Sequence, residues 1–127
     1  MDNYLIGGLL ILFGLSMYTE TGNNLVNEEI AKKMIKDGAK VIDIRSKFEY
    51  DVGHYKNAIH IPIDELNEES TKKLDKNEVY IVYCNTGQRA RKASEMMKKM
   101  GFKNVFYISG TYYTLIDKNN KDNKDKN

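Results

Sequence analysis

One stretch, from Val79 to Met100, constrains this chain more than any other. It reads Val-Tyr-Ile-Val-Tyr-Cys-Asn-Thr-Gly-Gln-Arg-Ala-Arg-Lys-Ala-Ser-Glu-Met-Met-Lys-Lys-Met. Val79 to Tyr83 is an unbroken apolar, β-branched and aromatic run, which suits a strand buried on both faces. Cys84 to Arg89 is a short polar turn around Gly87. From Ala90 to Met100 the spacing predicts a helix, with Ala90, Ala93, Met97 and Met100 on one face and Arg91, Lys92, Lys98 and Lys99 elsewhere. Gly101 is a suitable stop for it. The single cysteine of the chain therefore falls where a buried strand ends and a helix begins.

That position has chemical consequences. Backbone N–H groups at a helix start lack partners within the helix, and the helix dipole turns its positive end there. A thiol held against them ionises more easily, and the thiolate is the nucleophile. Gly87 lets the backbone curl with its amides facing inward, as an anion-binding nest. Arg89 adds a fixed charge and a planar fork suited to oxyanions. Such a cradle suits a thiolate and its anionic adduct, or an oxyanion substrate. A lone cysteine is more often just a small buried hydrophobe. A core cysteine, however, has no need of the polar turn Asn85-Thr86-Gly87-Gln88-Arg89 that follows this one.

At these residues the chain resembles a family. Cys84-Asn85-Thr86-Gly87-Gln88-Arg89 is similar to the Cys-x-x-Gly-x-Arg active-site loop of single-domain rhodaneses, which are sulfurtransferases. Val41-Ile42-Asp43-Ile44-Arg45, Glu49, and Gly53-His54-Tyr55-Lys56-Asn57-Ala58-Ile59-His60-Ile61-Pro62 resemble the first signature of that family in order and spacing. Gly101 to Gly110 resembles its C-terminal strand. The resemblance covers residues 24 to 116. It implies that Cys84 attacks the outer sulfur of a donor such as thiosulfate or a persulfide and carries that sulfur as its own persulfide. A thiol or thiol-protein acceptor then takes it. Backbone N–H groups from Asn85 to Arg89 would stabilise the moving charge, and Arg89 would orient the loop and help hold an anionic donor. No metal or organic cofactor is implied. Related phosphatases and arsenate reductases carry five residues between Cys and Arg; here there are four, which fits a single sulfur better than a tetrahedral oxyanion.

Two departures stand out. Many thiosulfate-using rhodaneses place a basic residue directly after the cysteine, where this chain has Asn85. The C-terminal Gly-Gly of the family is Gly110-Thr111 here, and Tyr112 and Tyr113 stand where a Trp is usual. Two other readings stand beside this one: a tethered rhodanese-like module that binds a partner or carries sulfur without turning over free thiosulfate, and redox sensing by an exposed thiol of low pKa.

Asp43 and Arg45 flank Ile44 and point to one side of a strand, which reads as a structural ion pair that Glu49 joins. His54, beside Gly53, reads as a hydrogen-bonded structural residue. His60 alternates out of a strand and is given no function. Asn27 suits a helix cap, with Glu28 and Glu29 in the first turn and Gly38 as its stop. Val41–Ile44 and Val105–Ile108 read as strands, and 64–74 as one or two short helical turns. Strands alternating with helices predict an α/β fold with a mainly parallel sheet and helices on both faces.

Residues 1–19 form a separate unit. Nothing from Asn3 to Thr19 is charged, and about 17 residues make a helix of about 26 Å, enough for a thinned bilayer core. No basic n-region or Ala-x-Ala-like site marks it as a cleaved leader. The expectation is a single-pass membrane anchor through residues 4–18, followed by a linker at 20–24, a folded domain at 25–116 and a disordered polar tail at 117–127. Lys32, Lys33 and Lys36 after the segment lean the domain towards the cytoplasmic side. One cysteine rules out an internal disulfide framework, and a net charge of +2 gives no reason to expect nucleic-acid binding.

Overall fold

The computed structural model describes residues 24–116. The expected anchor at 4–18, most of the linker and the tail at 117–127 lie outside the described residues. No helix among the described residues is long and apolar enough to cross a membrane.

Asn27 caps α1 (Glu28–Lys36), its Oδ1 accepting the Ile30 N–H at 2.8 Å. β1 (Lys40–Asp43) follows, then α2 (Lys47–Val52) and a two-residue strand β2 (Ile59–His60). A single 3-10 turn, Ile63–Glu65, opens the long connection to β3 (Val79–Tyr83). α3 (Gln88–Lys99), β4 (Asn104–Tyr107) and a 3-10 turn at Tyr112–Leu115 complete the chain. The strands form one sheet in the order β2-β1-β3-β4, with every neighbouring pair parallel.

Alternation along β3 explains the two cores. Ile81 and Tyr83 point to one face, where Ala31 and Met34 of α1 pack with Phe106, Ile108 and Leu115. Tyr80, Val82 and Cys84 point to the other, against Ala90, Ala93 and Met97 of α3. Both faces are covered, so the expected α/β layering with helices on each side holds. A fully buried side chain of the size of Ile81 or Val82 contributes about 1.5–3 kcal/mol, so the two faces together hold the sheet rigid. The chain leaves β1 towards β2 and returns on the other side of β1 to make β3. That reversal opens a crevice at the carboxyl ends of β1 and β3, where open parallel sheets place their sites. Asp43 ends β1, and Cys84 directly follows β3.

The structure moves several boundaries. α3 begins at Gln88 rather than Ala90, because the left-handed backbone of Gly87 (φ +94°) completes the turn in one residue. Arg89 is thus a helix residue, not a loop residue. β1 and β4 each start and end one residue earlier than expected. Asn24 belongs to the fold and not to the linker. It is buried, its carbonyl accepts the Tyr107 N–H, and its side chain accepts from Lys98 Nζ at 2.9 Å. The helix α2 was not anticipated, although Ser46-Lys47-Phe48-Glu49 is a capping box: Ser46 Oγ accepts the Glu49 N–H, and Glu49 Oε1 accepts the Ser46 N–H.

Candidate active site

Cys84 is fully buried, and its sulfur lies under the start of α3. Sγ accepts the Gly87 N–H at 3.1 Å and the Ala90 N–H at 3.3 Å. These are orphan donors of a helix N-terminus, aimed at one sulfur. They favour negative charge on it, whether on a thiolate or on an atom attached to it. Asn85 is half-buried, and Thr86 and Gln88 are exposed on the same turn.

Gly87 makes this possible. Its φ of +94° is open to glycine and strained for other residues. A Cβ there would also stand 2.9 Å from Ser109 Cα and 3.3 Å from Ser109 O. Gly87→Ala is therefore expected to push the turn off the Ser109 backbone and pull the Gly87 N–H from the sulfur. Losing one such donor costs about 100-fold in the rate of a step that builds charge on that sulfur. Single-turnover sulfur uptake, followed by mass, checks it.

Glu49 is where the structure departs most from expectation. It does not join Arg45. Its carboxylate takes Arg89 in a fork, Oε1 from Nη1 at 2.9 Å and Oε2 from Nη2 at 3.1 Å. Oε2 also accepts from Asn85 Nδ2 at 2.7 Å. The reason lies in α2: its capping box fixes Glu49 at the first turn, facing the start of α3 rather than the end of β1. One carboxylate from α2 thus grips both sides of the cysteine loop. The Arg89 guanidinium, expected to help hold an anionic donor, has its fork turned to Glu49.

The Arg89 guanidinium holds the Glu49 carboxyl down at about 2, well below its ordinary 4.5. The unfolded chain therefore takes up a proton here at a higher pH than the native one. The stability from this pair is complete above pH 4.5 and is lost as pH falls towards 2. Glu49→Gln keeps the cap and removes the charge. It is expected to lower stability by about 1–2 kcal/mol at neutral pH and to flatten the acid limb of a pH–urea titration.

Asp43 and Arg45 do pair, deep in the crevice. Arg45 Nη2 lies 2.7 Å from Asp43 Oδ2, and Arg45 Nε and its backbone N–H both donate to Asp43 Oδ1. Arg45 Nη2 also donates to the Gly53 carbonyl at 2.7 Å. Its guanidinium carbon lies 5.3 Å from the ring centroids of both Tyr83 and Tyr112. Burial pulls the Arg45 guanidinium down, and its bonds and attraction to Asp43 more than reverse this. Tyr83 Oη donates to Asp43 Oδ2 at 2.6 Å and accepts the Tyr55 N–H at 3.0 Å. Burial, with Asp43 alongside, pushes the Tyr83 phenol well above its ordinary value.

His54 is buried, with Nδ1 2.9 Å from the Tyr50 carbonyl and its ring stacked on Tyr50 at 3.7 Å. His60 stacks on Tyr50 as well, at 4.1 Å, and its Nε2 lies 2.8 Å from the Arg45 carbonyl. The sequence reading missed His60, Tyr50 and Tyr83. Alternation puts Tyr83 on the face of Ile81, and the sheet register sets it opposite Asp43. Among the described residues no three His, Cys, Asp or Glu side chains are grouped to hold a metal. A cleft of about 500 Å³ lies at the amino-terminal ends of β1 and β2, walled by Ile35, Val41, Tyr55, Lys56 and Ile59, and no residue of the cysteine loop lines it.

Comparison with known proteins matches this geometry to a family. The tRNA uridine(34) hydroxylase of Hamiltonella defensa is 41% identical over 96 residues, 71% of this chain but 27% of that protein. The chain spans little more than a quarter of the length of the curated relatives it matches. A Bacillus halodurans crystal structure superposes with a TM-score of 0.66 at 28% identity, covering 79% of this chain and 76% of that one. An E. coli structure described as rhodanese with anions superposes at 0.53 with 33% identity, covering 58% of this chain and 88% of that one. The sequence profile of the Rhodanese-like domain fits residues 27–117, which take in both signature blocks, the ion pair at the end of β1 and the amide-cradled Cys84: the chain belongs to the rhodanese-like domain family.

Proposed function

We propose that this protein is a sulfurtransferase that moves a sulfane sulfur through a persulfide on Cys84. The observation that carries the reading is the pair of amides, from Gly87 and Ala90, aimed at Cys84 Sγ. A thiolate there attacks the outer sulfur of a donor, and the donor's sulfur–sulfur bond breaks. The leaving group departs with the electron pair, and the cysteine carries the sulfur until a thiol acceptor takes it. The same amides stabilise the charge before and after the transfer. Cys84 has no exposed surface, while Thr86 and Gln88 on the same turn are exposed.

The test is intact mass. The full chain is incubated with thiosulfate and, separately, with a persulfide donor. A gain of one sulfur atom, removed by cyanide, is the expected result. No gain with either donor, from folded protein, would overturn the reading in favour of a binding module.

A second reading follows from the name the relatives carry, and the identity of 33% to 41% that they share with this chain favours it. In that reading the domain serves the modification of a tRNA uridine, a partner that the small net charge gave no reason to expect. Its mark would be hydroxylated uridine in tRNA incubated with the chain under air, with dissolved dioxygen as the oxidant, and absent without the chain, detected by nucleoside mass spectrometry. Residues 4–18 we propose as a single-pass anchor with the domain on the cytoplasmic side. Resistance of the chain to alkaline extraction from membranes, and protection of the domain from external protease, are the expected results.

A further inference from the structure

We infer that the sulfur donor is a thiol persulfide, R–S–SH, and not thiosulfate or another polyanion; this rests on the sulfurtransferase reading and narrows it. The inference comes from where the cations of the site are spent. Arg89, the charge nearest to the cysteine in sequence, is held in a two-bond fork by Glu49 at 2.9 and 3.1 Å. Asn85, directly after the cysteine, is uncharged and gives its amide to the same carboxylate at 2.7 Å. Arg45 is buried and paired with Asp43 at 2.7 Å. On α2, Lys47 is paired with Asp51 at 2.6 Å, while Phe48 and Val52 stand exposed. The turn from Asn85 to Gln88 carries no charge of its own.

A paired cation and anion nearly cancel at the distance of a bound ligand, whereas an unpaired guanidinium would attract every negative charge brought near it. Thiosulfate keeps two negative charges on the sulfite that leaves, and these fall outside the amide cradle. A persulfide makes no such demand. The Cys84 thiolate attacks the outer sulfur of R–S–SH, a bond forms between Cys84 Sγ and that sulfur, and the donor's sulfur–sulfur bond breaks. Its electron pair leaves on R–S⁻, and the proton stays with the transferred sulfur, giving the persulfide Sγ–SH on Cys84. The single charge that the cradle held on Cys84 leaves on one sulfur, next to the same amides.

The experiment measures single-turnover loading of the full chain by mass with two probes, thiosulfate and 2-hydroxyethyl persulfide, in low and high salt. The expected result is loading by the persulfide at least tenfold faster than by thiosulfate, with little change on adding salt. Thr86→Lys, which adds a cation on the exposed turn beside the cysteine, is expected to raise the ratio of thiosulfate to persulfide rates at least tenfold. That gain should fade in high salt. Loading of the unaltered chain by thiosulfate as fast as by the persulfide would overturn the inference and leave sulfur transfer standing. Loading by neither probe would overturn both.

Discussion

Cys84→Ser should take up no sulfur from any donor while keeping its fold. The two halves of that result have separate causes. Serine offers a hydroxyl that stays protonated at neutral pH, with no partner in the site placed to take its proton, and an oxygen–sulfur bond is a poor substitute for a sulfur–sulfur bond. The expected loss is at least about 1,000-fold in loading rate, as for removal of other covalent nucleophiles. The fold survives because serine still presents an acceptor to the Gly87 and Ala90 N–H groups, which bond Cys84 Sγ at 3.1 and 3.3 Å. Cys84→Ala removes that acceptor and leaves two buried amides unsatisfied, at a cost of about 1–3 kcal/mol. Urea titration should therefore rank serine above alanine in stability, although neither takes up sulfur. The chain has only this cysteine, so any sulfur gained by the serine variant would mean that transfer does not run through Cys84.

Much of this was legible in the sequence, and the physical reason is the same throughout. Local signals reported local structure. The apolar run Val79–Tyr83, the turn at Gly87 and the apolar face of the following helix place Cys84 at a strand–helix junction without any tertiary knowledge. The Asp43–Arg45 pair was legible because two residues of one strand face the same way. The misreadings lie where a side chain chooses between partners far apart in sequence. Glu49 has Arg45 close by in the chain and Arg89 remote from it; the capping box of α2 decides for Arg89, and only the folded arrangement of α2 against α3 shows this. The place of Tyr83 is not legible in the same way, because an apolar run says which faces are buried and not where a hydroxyl finds its acceptor. His60 was left without a place because its partner, Tyr50, sits on a helix whose start signal, Ser46-x-x-Glu49, went unread.

Asp43→Ala is expected to be the most destabilising single change in the domain. The carboxylate has no exposed surface, and four donors converge on it: the Arg45 backbone N–H, Arg45 Nε, Arg45 Nη2 and the Tyr83 hydroxyl. Alanine leaves the guanidinium buried with the Gly53 carbonyl and two ring faces, and it leaves the Tyr83 hydroxyl without its acceptor. Breaking one side of a buried pair costs about 3–5 kcal/mol. A domain of this size has about 5–15 kcal/mol in total, so the variant sits near the edge of folding. With about 4–8 °C lost per kcal/mol, the melting point should fall by more than about 12 °C. The chain has nine tyrosines and no tryptophan, so tyrosine fluorescence and far-UV circular dichroism are the probes. Asp43→Asn keeps an acceptor without the charge and should fall between alanine and the unaltered chain. The double change Asp43→Asn with Arg45→Met should recover part of the loss, because it removes the stranded charge rather than restoring its partner. If Asp43→Ala melted within a few degrees of the unaltered chain, the buried pair would not be a main support of the fold at the carboxyl ends of β1 and β3. Glu49→Gln, which removes the charge that holds Asn85 and Arg89, would then become the larger perturbation of the two.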